Sequence, residues 1–136
     1  MISRFTDKKC DAGMLSPLTL AFIGDTVFDL YVRETIICQA NRPAKMLHGE
    51  AIKSVSAAAQ AKKAEKLLPF LNEDELAVFK RGRNAHTNHV PKNSSERDYH
   101  YATGLEALVG WLYLNEKGER LDEIMKICFE DGEERA

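Results

Sequence analysis

Residues 20–33 read LAFIGDTVFDLYVR, and this stretch decides the fold. The stretch has the composition of a buried helix. Within it and on either side, Leu18, Phe22, Thr26, Leu30 and Ile37 recur at helical spacing. Asp25 interrupts the apolar run directly after Gly24. A carboxylate that loses its water without gaining a partner is strongly destabilising. The sequence therefore raises the question of what this aspartate faces.

The rest of the chain also has helical character. Ser16 followed by Pro17 is a helix-start signal, and the helix that begins there is expected to end near Ala40. Four further helices are expected over residues 44–68, 73–84, 95–118 and 119–136, with a loop of about eleven residues at 85–95. No run alternates as a strand does. We therefore expect an all-α domain of about five to seven helices.

Length and composition suit one soluble domain. The chain has 136 residues, of which 44% are hydrophobic, so it can bury one core and has no room for a second domain. No apolar run reaches the ~18 residues of a membrane span, and the first residues lack the apolar stretch of a signal peptide. We expect a single cytoplasmic domain over 1–136, with its core at about 15–122.

The net charge of −2 hides an uneven distribution. Residues 42–66 carry six basic against two acidic residues, and residues 80–97 carry five basic against one. The eight acidic residues after Asn115 lower the total without touching these segments. The two basic segments are either ordinary solvated helix surface or a surface for an anionic partner.

Glu106 raises the same question as Asp25, because it also lies in an apolar helical run. Glycines accompany both acids: Gly24 precedes Asp25, and Gly104 and Gly110 flank Glu106. A glycine inside a helix costs up to ~1 kcal/mol relative to alanine. Close approach of two helix backbones is the expected compensation.

Three explanations of the acids are open. Asp25, Asp29 and Arg33 follow one another at one-turn spacing and can form a structural ion-pair ladder, although that leaves Glu106 without a partner. Alternatively, each acid has a raised pKa and a structural hydrogen bond. In the third explanation Asp25 and Glu106 face each other across a helix crossing and share Mg²⁺ or Mn²⁺, which prefer oxygen ligands and retain water.

Four pieces of sequence occur in an order that is typical of one enzyme family: FIGD at 22–25, KRGRN at 80–84, PKN at 91–93 and TGLEALVGWLYL at 103–114. In this order they resemble the catalytic domain of the ribonuclease III family, and more closely its Mini-III branch, which consists of the nuclease domain alone. Each piece is weak by itself, and the specificity comes from the order of the four.

The resemblance implies an all-helical fold, a homodimer, Mg²⁺ with Mn²⁺ as a substitute, and cleavage of double-stranded RNA to 5′-phosphate and 3′-hydroxyl ends. Carried over by position, Asp25 and Glu106 are the catalytic and metal-binding acids. Full-length ribonuclease III enzymes carry two more acids, where this chain has Ala21 and Thr103. The Mini-III branch shares both substitutions, so a second ion would need water, Asp29 or RNA phosphate oxygens as ligands.

The nuclease domain itself is expected to hold the RNA, because a double-stranded RNA-binding domain needs about seventy more residues. The expected RNA contacts are Lys80, Arg81, Arg83, Asn84, Lys92, Asn93, Lys62 and Lys63. Basic side chains suit this task because an A-form duplex hides its base edges and exposes backbone charge.

The resemblance also points to a substrate, precursor 23S ribosomal RNA cut at the stem where its ends pair. Ribosomal proteins are candidates for presenting that stem. Two aromatic groups are candidates for the dimer seam, unless they fill the monomer core: Tyr99, Tyr101, Trp111 and Tyr113, or Phe28 and Tyr31.

A zinc site is not favoured. The cysteines are odd in number and far apart, at Cys10, Cys38 and Cys128, so neither a disulfide framework nor a cysteine zinc site is predicted. His86 and His89, with His100 nearby in sequence, lack a fourth ligand. Phosphate contact or simple loop polarity is the preferred interpretation of these histidines.

Two other function classes stay open. One is a catalytically silent RNA-binding or dimerisation module of the same fold, against which the retention of Asp25 and Glu106 argues. The other is a helical protein-interaction domain whose basic segments meet an acidic partner. Magnesium-dependent RNA cleavage that Asp25→Asn and Glu106→Gln both abolish would distinguish the enzyme from either.

Overall fold

The structure, a computed structural model, describes residues 3–85 and 95–130. These residues form α1 (Pro17–Gln39), α2 (Ala44–Val55), α3 (Ala57–Leu67), α4 (Glu73–Arg83), α5 (Glu96–Leu114) and α6 (Gly118–Phe129), with short 3₁₀ turns at Ala12–Met14 and Leu68–Phe70. They contain no strand, so the all-α prediction is confirmed. None of the described helices combines the length and apolar character that a membrane crossing requires.

Helix α1 begins as its sequence predicts. The Ser16 Oγ accepts a hydrogen bond from the Thr19 backbone N–H at 3.2 Å. Pro17 stands in the first turn, where its missing N–H breaks no helical bond. The buried face of the helix consists of Leu20, Ala21, Gly24, Val27, Phe28, Val32 and Ile36.

The stripe at helical spacing that predicts α1 lies on its outer face. Its apolar members are exposed by 41% at Leu18, 82% at Phe22, 44% at Leu30 and 57% at Ile37. Helix α1 is therefore apolar on two sides, and spacing alone does not distinguish the core side from the other. We call these four residues the outer stripe of α1. Several large apolar side chains exposed along one helix are typical of a contact surface.

The single helix expected over 44–68 is wrong, because the chain breaks at Ser56. This residue adopts an extended conformation, with φ −61° and ψ 155°, and ends α2. Its Oγ accepts a hydrogen bond from the Ala59 N–H at 3.2 Å, so the same residue caps α3. A serine side chain offers the backbone this alternative to a continuous helix.

Helices α4 and α5 start at strong caps. Asn72 and Glu75 form a reciprocal capping box at the start of α4, and the Ser95 side chain accepts from the Asp98 N–H. The expectation that α5 extends to Gly118 is wrong by about one turn. The helix ends at Leu114, and Glu116 takes a left-handed φ of 57°, which starts the turn into α6.

Helix α5 lies at the centre of the described structure, as its apolar composition predicts. It packs against α1, α3, α4 and α6. Leu105, Leu108, Val109 and Leu112 on this helix are fully buried, together with Phe28 of α1. Helix α6 closes the core with Leu121, Ile124, Met125 and Cys128.

The aromatic candidates for a dimer seam belong mainly to the monomer core. Phe28 is fully buried and Tyr113 is 8% exposed. Tyr31 is half-buried against Phe129, with ring centroids 5.1 Å apart. Tyr99, Tyr101 and Trp111 are half-buried. The large exposed apolar groups of α1 are those of its outer stripe.

A buried ion pair joins α6 to α4. Arg120 donates from Nε to Glu75 Oε2 at 2.7 Å and from Nη2 to Glu75 Oε1 at 2.8 Å. Its Nη2 also donates to the Phe70 carbonyl at 2.8 Å. Glu75 is only 2% exposed, and the hydrogen bond from Arg120 holds the pKa of its carboxyl below the usual range.

Candidate active site

The site is built where α1 crosses α5, and the glycines make that crossing close. A Cβ on Gly24 would lie 1.7 Å from the Glu106 carbonyl oxygen, and one on Gly110 would lie 2.0 Å from the Leu20 carbonyl oxygen. No L side chain fits at either distance, so the two backbones touch directly. Asp25, the residue after Gly24, is thereby brought beside Glu106, as the glycine pattern predicts.

Glu106 has the carboxylate that the fold removes from water. It is partly buried, and its Oε2 accepts a hydrogen bond from Gln60 Nε2 at 3.2 Å. The pKa of Glu106 is raised to about 8, mainly by burial and in addition by the charge of Asp25 and a side-chain hydrogen bond with Asp25, while the hydrogen bond from Gln60 opposes the shift. The two carboxyl groups are thus hydrogen-bonding neighbours.

The expectation that both acids are buried is wrong for Asp25, which is exposed. The carboxylate lies at the solvent side of the crossing, one turn from Phe22, which is also exposed. The site is therefore open to solvent at Asp25 and closed at Glu106. A ligand from solution can reach this pair from one side.

The ion-pair ladder on α1 accounts for Asp29 but not for Asp25. Arg33 Nε donates to Asp29 Oδ2 at 3.0 Å, on the surface of the helix. Asp25 instead lies against Glu106. Two adjacent carboxyl groups, one of them with a raised pKa, need a proton or a cation between them.

The chemistry of this donor set fits a hard divalent cation that keeps much of its water. The two carboxylates offer oxygen ligands only, which suits Mg²⁺ or Mn²⁺. Within residues 3–85 and 95–130, no group of three or more His, Cys, Asp or Glu side chains could hold a metal ion. Thr103 is buried, and its hydroxyl donates to the Tyr99 carbonyl at 3.0 Å.

The basic end of α4 packs against α5, the helix that carries Glu106. A Cβ on Gly82 would lie 2.8 Å from Ala107 Cβ and 3.0 Å from Gly104 Cα, so α4 touches α5 on both sides of Glu106 in sequence. Lys80 and Arg81 at this end are exposed. Arg83 is partly buried, and its Nε donates to Asn84 Oδ1 at 3.1 Å.

The other expected RNA contacts are more scattered. Lys62 is exposed on α3, whereas the Lys63 ammonium lies 4.4 Å from the centroid of the Phe129 ring. Lys92 and Asn93 lie outside the described residues, as do His86 and His89. His100 is half-buried, with its Nε2 3.7 Å from Glu96 Oε1. Cys10 and Cys38 are exposed thiols, whereas Cys128 is buried.

Gln60 is a site residue that the sequence does not reveal. It is 2% exposed, and its Nε2 donates to the Val55 carbonyl at 3.0 Å as well as to Glu106. The only local signal is one amide side chain within the alanine-rich run SAAAQAKKA. Nothing in that run indicates a contact with a residue 46 positions later.

Comparisons with known proteins agree on one family. A family model, Ribonuclease III domain, matches residues 18–117. Mini-ribonuclease 3 of Thermoanaerobacter sp. (strain X514) is 46% identical over 120 residues, which cover 88% of this chain and 84% of that protein. Mini-ribonuclease 3 of Brevibacillus brevis (strain 47 / JCM 6285 / NBRC 100599) is 44% identical over 119 residues, which cover 88% of this chain and 89% of that protein.

A solved structure has the same fold. The crystal structure of a protein from Fusobacterium nucleatum is similar with a TM-score of 0.77 at 30% sequence identity. The similarity covers 82% of this chain and 91% of the other.

Proposed function

Because this chain belongs to the ribonuclease III family and is an endoribonuclease, we propose that Asp25 and Glu106 are its catalytic acids and that Mg²⁺ is the ion they hold. The family acts on double-stranded RNA and generally depends on divalent metal ions. The observation that carries the proposal is the pairing of two carboxyl groups across the α1–α5 crossing.

The acid pair suits an ion that the protein binds on one side while its other side stays open to RNA. Glu106 supplies a carboxylate held from the protein interior, and Asp25 supplies one at the solvent side. When bound, Mg²⁺ would supply Lewis acidity, which polarises the scissile phosphate and acidifies a water molecule. Before that, Glu106 must release the proton that it holds at neutral pH, because its pKa is raised to about 8.

The basic end of α4 orients the duplex in this proposal. Lys80 and Arg81 are exposed at the end of a helix that packs against α5, and Arg83 with Asn84 completes the turn. Such side chains grip phosphates without reading bases, which sets the register of the backbone over the acids. Lys62, Lys92 and Asn93 remain further contacts of the proposal. Lys63 is a weaker candidate, because its ammonium already lies over the Phe129 ring.

A homodimer with two-fold symmetry is part of the proposal, since members of the family typically dimerise. The outer stripe of α1 supports it as the seam, because Phe22 and Leu18 are exposed one turn apart on a helix that also carries Asp25. A two-fold interface repeats the same surface on both partners. Two acid pairs would then face opposite strands of one duplex and give a staggered double cut.

The substrate in this proposal is the paired stem of precursor 23S ribosomal RNA, cut to leave 5′-phosphate ends. Ribosomal proteins would present the stem, and the reaction would take place in the cytoplasm. A grip of few phosphates supports this dependence, because binding through few charges is weak and sensitive to salt.

The test is cleavage of a ribosomal RNA stem with and without Mg²⁺ by the wild type, Asp25→Asn and Glu106→Gln. Asp29→Asn is the matched control, because Asp29 lies one turn along the same helix and pairs with Arg33. Both acid variants should lose cutting while the control retains it. RNA binding without any cutting by the wild type would favour the silent module instead.

A further inference from the structure

We propose that Gln60 is a positioning residue for the reaction, whose side-chain amide holds the Glu106 carboxylate in the orientation that the divalent ion requires. The inference rests on the proposed function and extends it. It adds a residue of α3 to a site otherwise formed by α1, α4 and α5. Gln60 does not touch RNA or the reacting atoms in this role.

The amide of Gln60 joins the acid to the main chain. Both hydrogens of Nε2 are in use, one toward the Val55 carbonyl at 3.0 Å and one toward Glu106 Oε2 at 3.2 Å. Val55 is the last residue of α2, so its carbonyl is one of the helix-end acceptors that lack an intrahelical partner. Glu106 is therefore anchored through Gln60 to the junction of α2 and α3.

The orientation of the amide is fixed by chemistry. Exchanging Nε2 and Oε1 would bring the amide oxygen against the Val55 carbonyl, and a carbonyl oxygen has no hydrogen to donate. This argument holds whether or not Glu106 carries a proton. The nitrogen must point toward the acid, so one carboxylate oxygen of Glu106 is always engaged by a donor.

The amide oxygen of Gln60 supports a role for this residue in the site. Gln60 Oε1 is the one buried side-chain oxygen or nitrogen in the described part of the chain without a hydrogen-bond partner. An unsatisfied buried acceptor is destabilising, and such a group in a native interior needs an explanation. Locally unfavourable interactions of this kind are expected at functional sites. Here the unsatisfied oxygen accompanies an amide orientation that keeps the hydrogen bond from Gln60 to Glu106.

The break at Ser56 explains how Gln60 reaches the acid. The residue lies in the first turn of α3, four residues after the cap, and α3 packs against α5. A continuous helix over 44–68 would rotate α3 with α2 and would keep the Val55 carbonyl inside the helix. The Ser56 cap therefore frees the carbonyl that anchors Gln60.

The experiment replaces Gln60 by methionine, which has a similar length and no amide. Mn²⁺ affinity is measured on the RNA-free protein, and kcat and KM are measured on a duplex RNA. Gln39→Met is the matched control, since Gln39 is exposed at the end of α1. We expect Mn²⁺ affinity to weaken about 10- to 100-fold and kcat to fall, with KM unchanged, because partners that orient a ligand have effects of this size. Mn²⁺ affinity and kcat within twofold of the wild type would overturn the inference.

A second measurement needs no variant and so does not depend on its folding. The Gln60 side-chain amide signals of the wild type are followed by NMR during a titration with Mg²⁺. They should shift together with the Glu106 carboxyl signal, with one common dissociation constant. Gln60 signals that stay unmoved while Glu106 shifts would overturn this inference alone. Ion binding that Asp25→Asn leaves unaffected would overturn the proposed metal site as well.

Discussion

At the scale of single residues, Glu106 determines how the metal-free site behaves. Burial, with the neighbouring Asp25, raises its pKa to about 8, so the group is protonated near neutral pH in the absence of a cation. A cation must therefore displace a proton. Binding of the ion should become tighter as the pH rises toward that value.

The stability of the metal-free protein should depend on pH through the same group. The folded-state pKa of Glu106 is raised from 4.5 to about 8. The contribution of Glu106 to the free energy of unfolding is thus fully present below pH 4.5, the pKa of the group in the unfolded chain. It is lost as the pH rises through about 8, the pKa in the folded protein. The change amounts to a few kcal/mol, at about 1.4 kcal/mol per unit. Melting curves between pH 5 and 9 measure it.

Glu106→Gln is the control for this prediction, because an amide does not titrate. It should flatten the decline in melting temperature between pH 5 and 9. Saturating Mg²⁺ should flatten the decline in the wild type, since the ion replaces the proton. An identical decline in Glu106→Gln would mean that another group causes it.

Arg81→Ala should weaken the binding of duplex RNA and change its salt dependence. Arg81 is exposed at the basic end of α4, which packs against α5. Loss of one phosphate contact should reduce the slope of log affinity against log salt by about 1, equally for different sequences. Filter binding across a salt series measures the slope. Lys53→Ala, an exposed cation on α2, should leave the slope unchanged.

The sequence predicts part of the site at this scale. Asp25 and Glu106 stand out because each interrupts an apolar helix, and the glycines indicate that the helices meet. The exposure of Asp25 is not predictable in this way, because it depends on where the crossing lies relative to solvent. Gln60 is hidden for another reason: its partner lies on a different helix, far away in sequence.

At the scale of helices, the close crossings of α5 position the site. Gly24 and Gly110 bring α1 onto α5, and Gly82 and Gly104 bring α4 onto it. Helix propensity disfavours each of these glycines, so the packing they allow must compensate. Asp25 lies beside Glu106, and the basic turn of α4 packs on the same helix α5, because the backbones approach closely.

Gly24→Ala should strongly destabilise the protein. The new Cβ would stand 1.7 Å from the Glu106 carbonyl oxygen, a backbone atom that cannot move alone. Separation of α1 from α5 should cost at least ~3 kcal/mol and disturb the acid pair as well. Gly49→Ala is the matched control on an exposed helix face, with nothing within 4 Å of its Cβ. It should stabilise the protein by about 0.5 to 1 kcal/mol. Urea unfolding measures both, and equal effects would contradict the prediction.

Glu75→Gln should weaken the attachment of α6 to α4. The variant leaves Arg120 without its bidentate carboxylate, at a cost of about 2 kcal/mol in the free energy of unfolding. The pKa of Glu75 is lowered, so the ion pair stabilises above pH 4.5 and its contribution is lost as the pH falls through the folded value. Urea unfolding at pH 7 and pH 3 tests both statements. Glu73→Gln, exposed in the same turn, should show neither effect.

The extents of the helices were only partly predictable. The caps at Ser16, Asn72 and Ser95 start helices where local chemistry predicts them. The break at Ser56 was missed because alanine-rich sequence on both sides favours a helix, and tertiary packing decides between the continuous and the capped form. The predicted α5 is too long for a similar reason, since no residue in 115–117 by itself excludes a helix.

At the scale of the whole molecule, the outer stripe of α1 distinguishes a monomer from an assembly. The chain buries one apolar face of α1 in its own core and leaves the other in solvent. A single domain over 1–136 with its core at 15–122 stays a prediction. So does the homodimer, for which this stripe is the proposed seam.

Phe22→Ser should dissociate the dimer. Phe22 is 82% exposed in the outer stripe, so its replacement should cost the free monomer little. Sedimentation at micromolar concentration should give the mass of one chain for the variant and of two for the wild type. Phe70→Ser is the matched control, with 59% exposure on the 3₁₀ turn before α4. A dimeric Phe22→Ser protein would reject α1 as the seam.

In the proposed metal site, the contact of Gly24 and Gly110 with the opposite backbone would also limit the size of the ion that Asp25 and Glu106 share. Only main-chain atoms lie between α1 and α5 there. The thickness of the peptide backbone therefore sets the distance between the two helices that carry the acids. The separation cannot become shorter by trimming side chains there, and any side chain added at either glycine would force the helices apart. Adaptation to a cation of different radius must therefore come from the donor groups themselves.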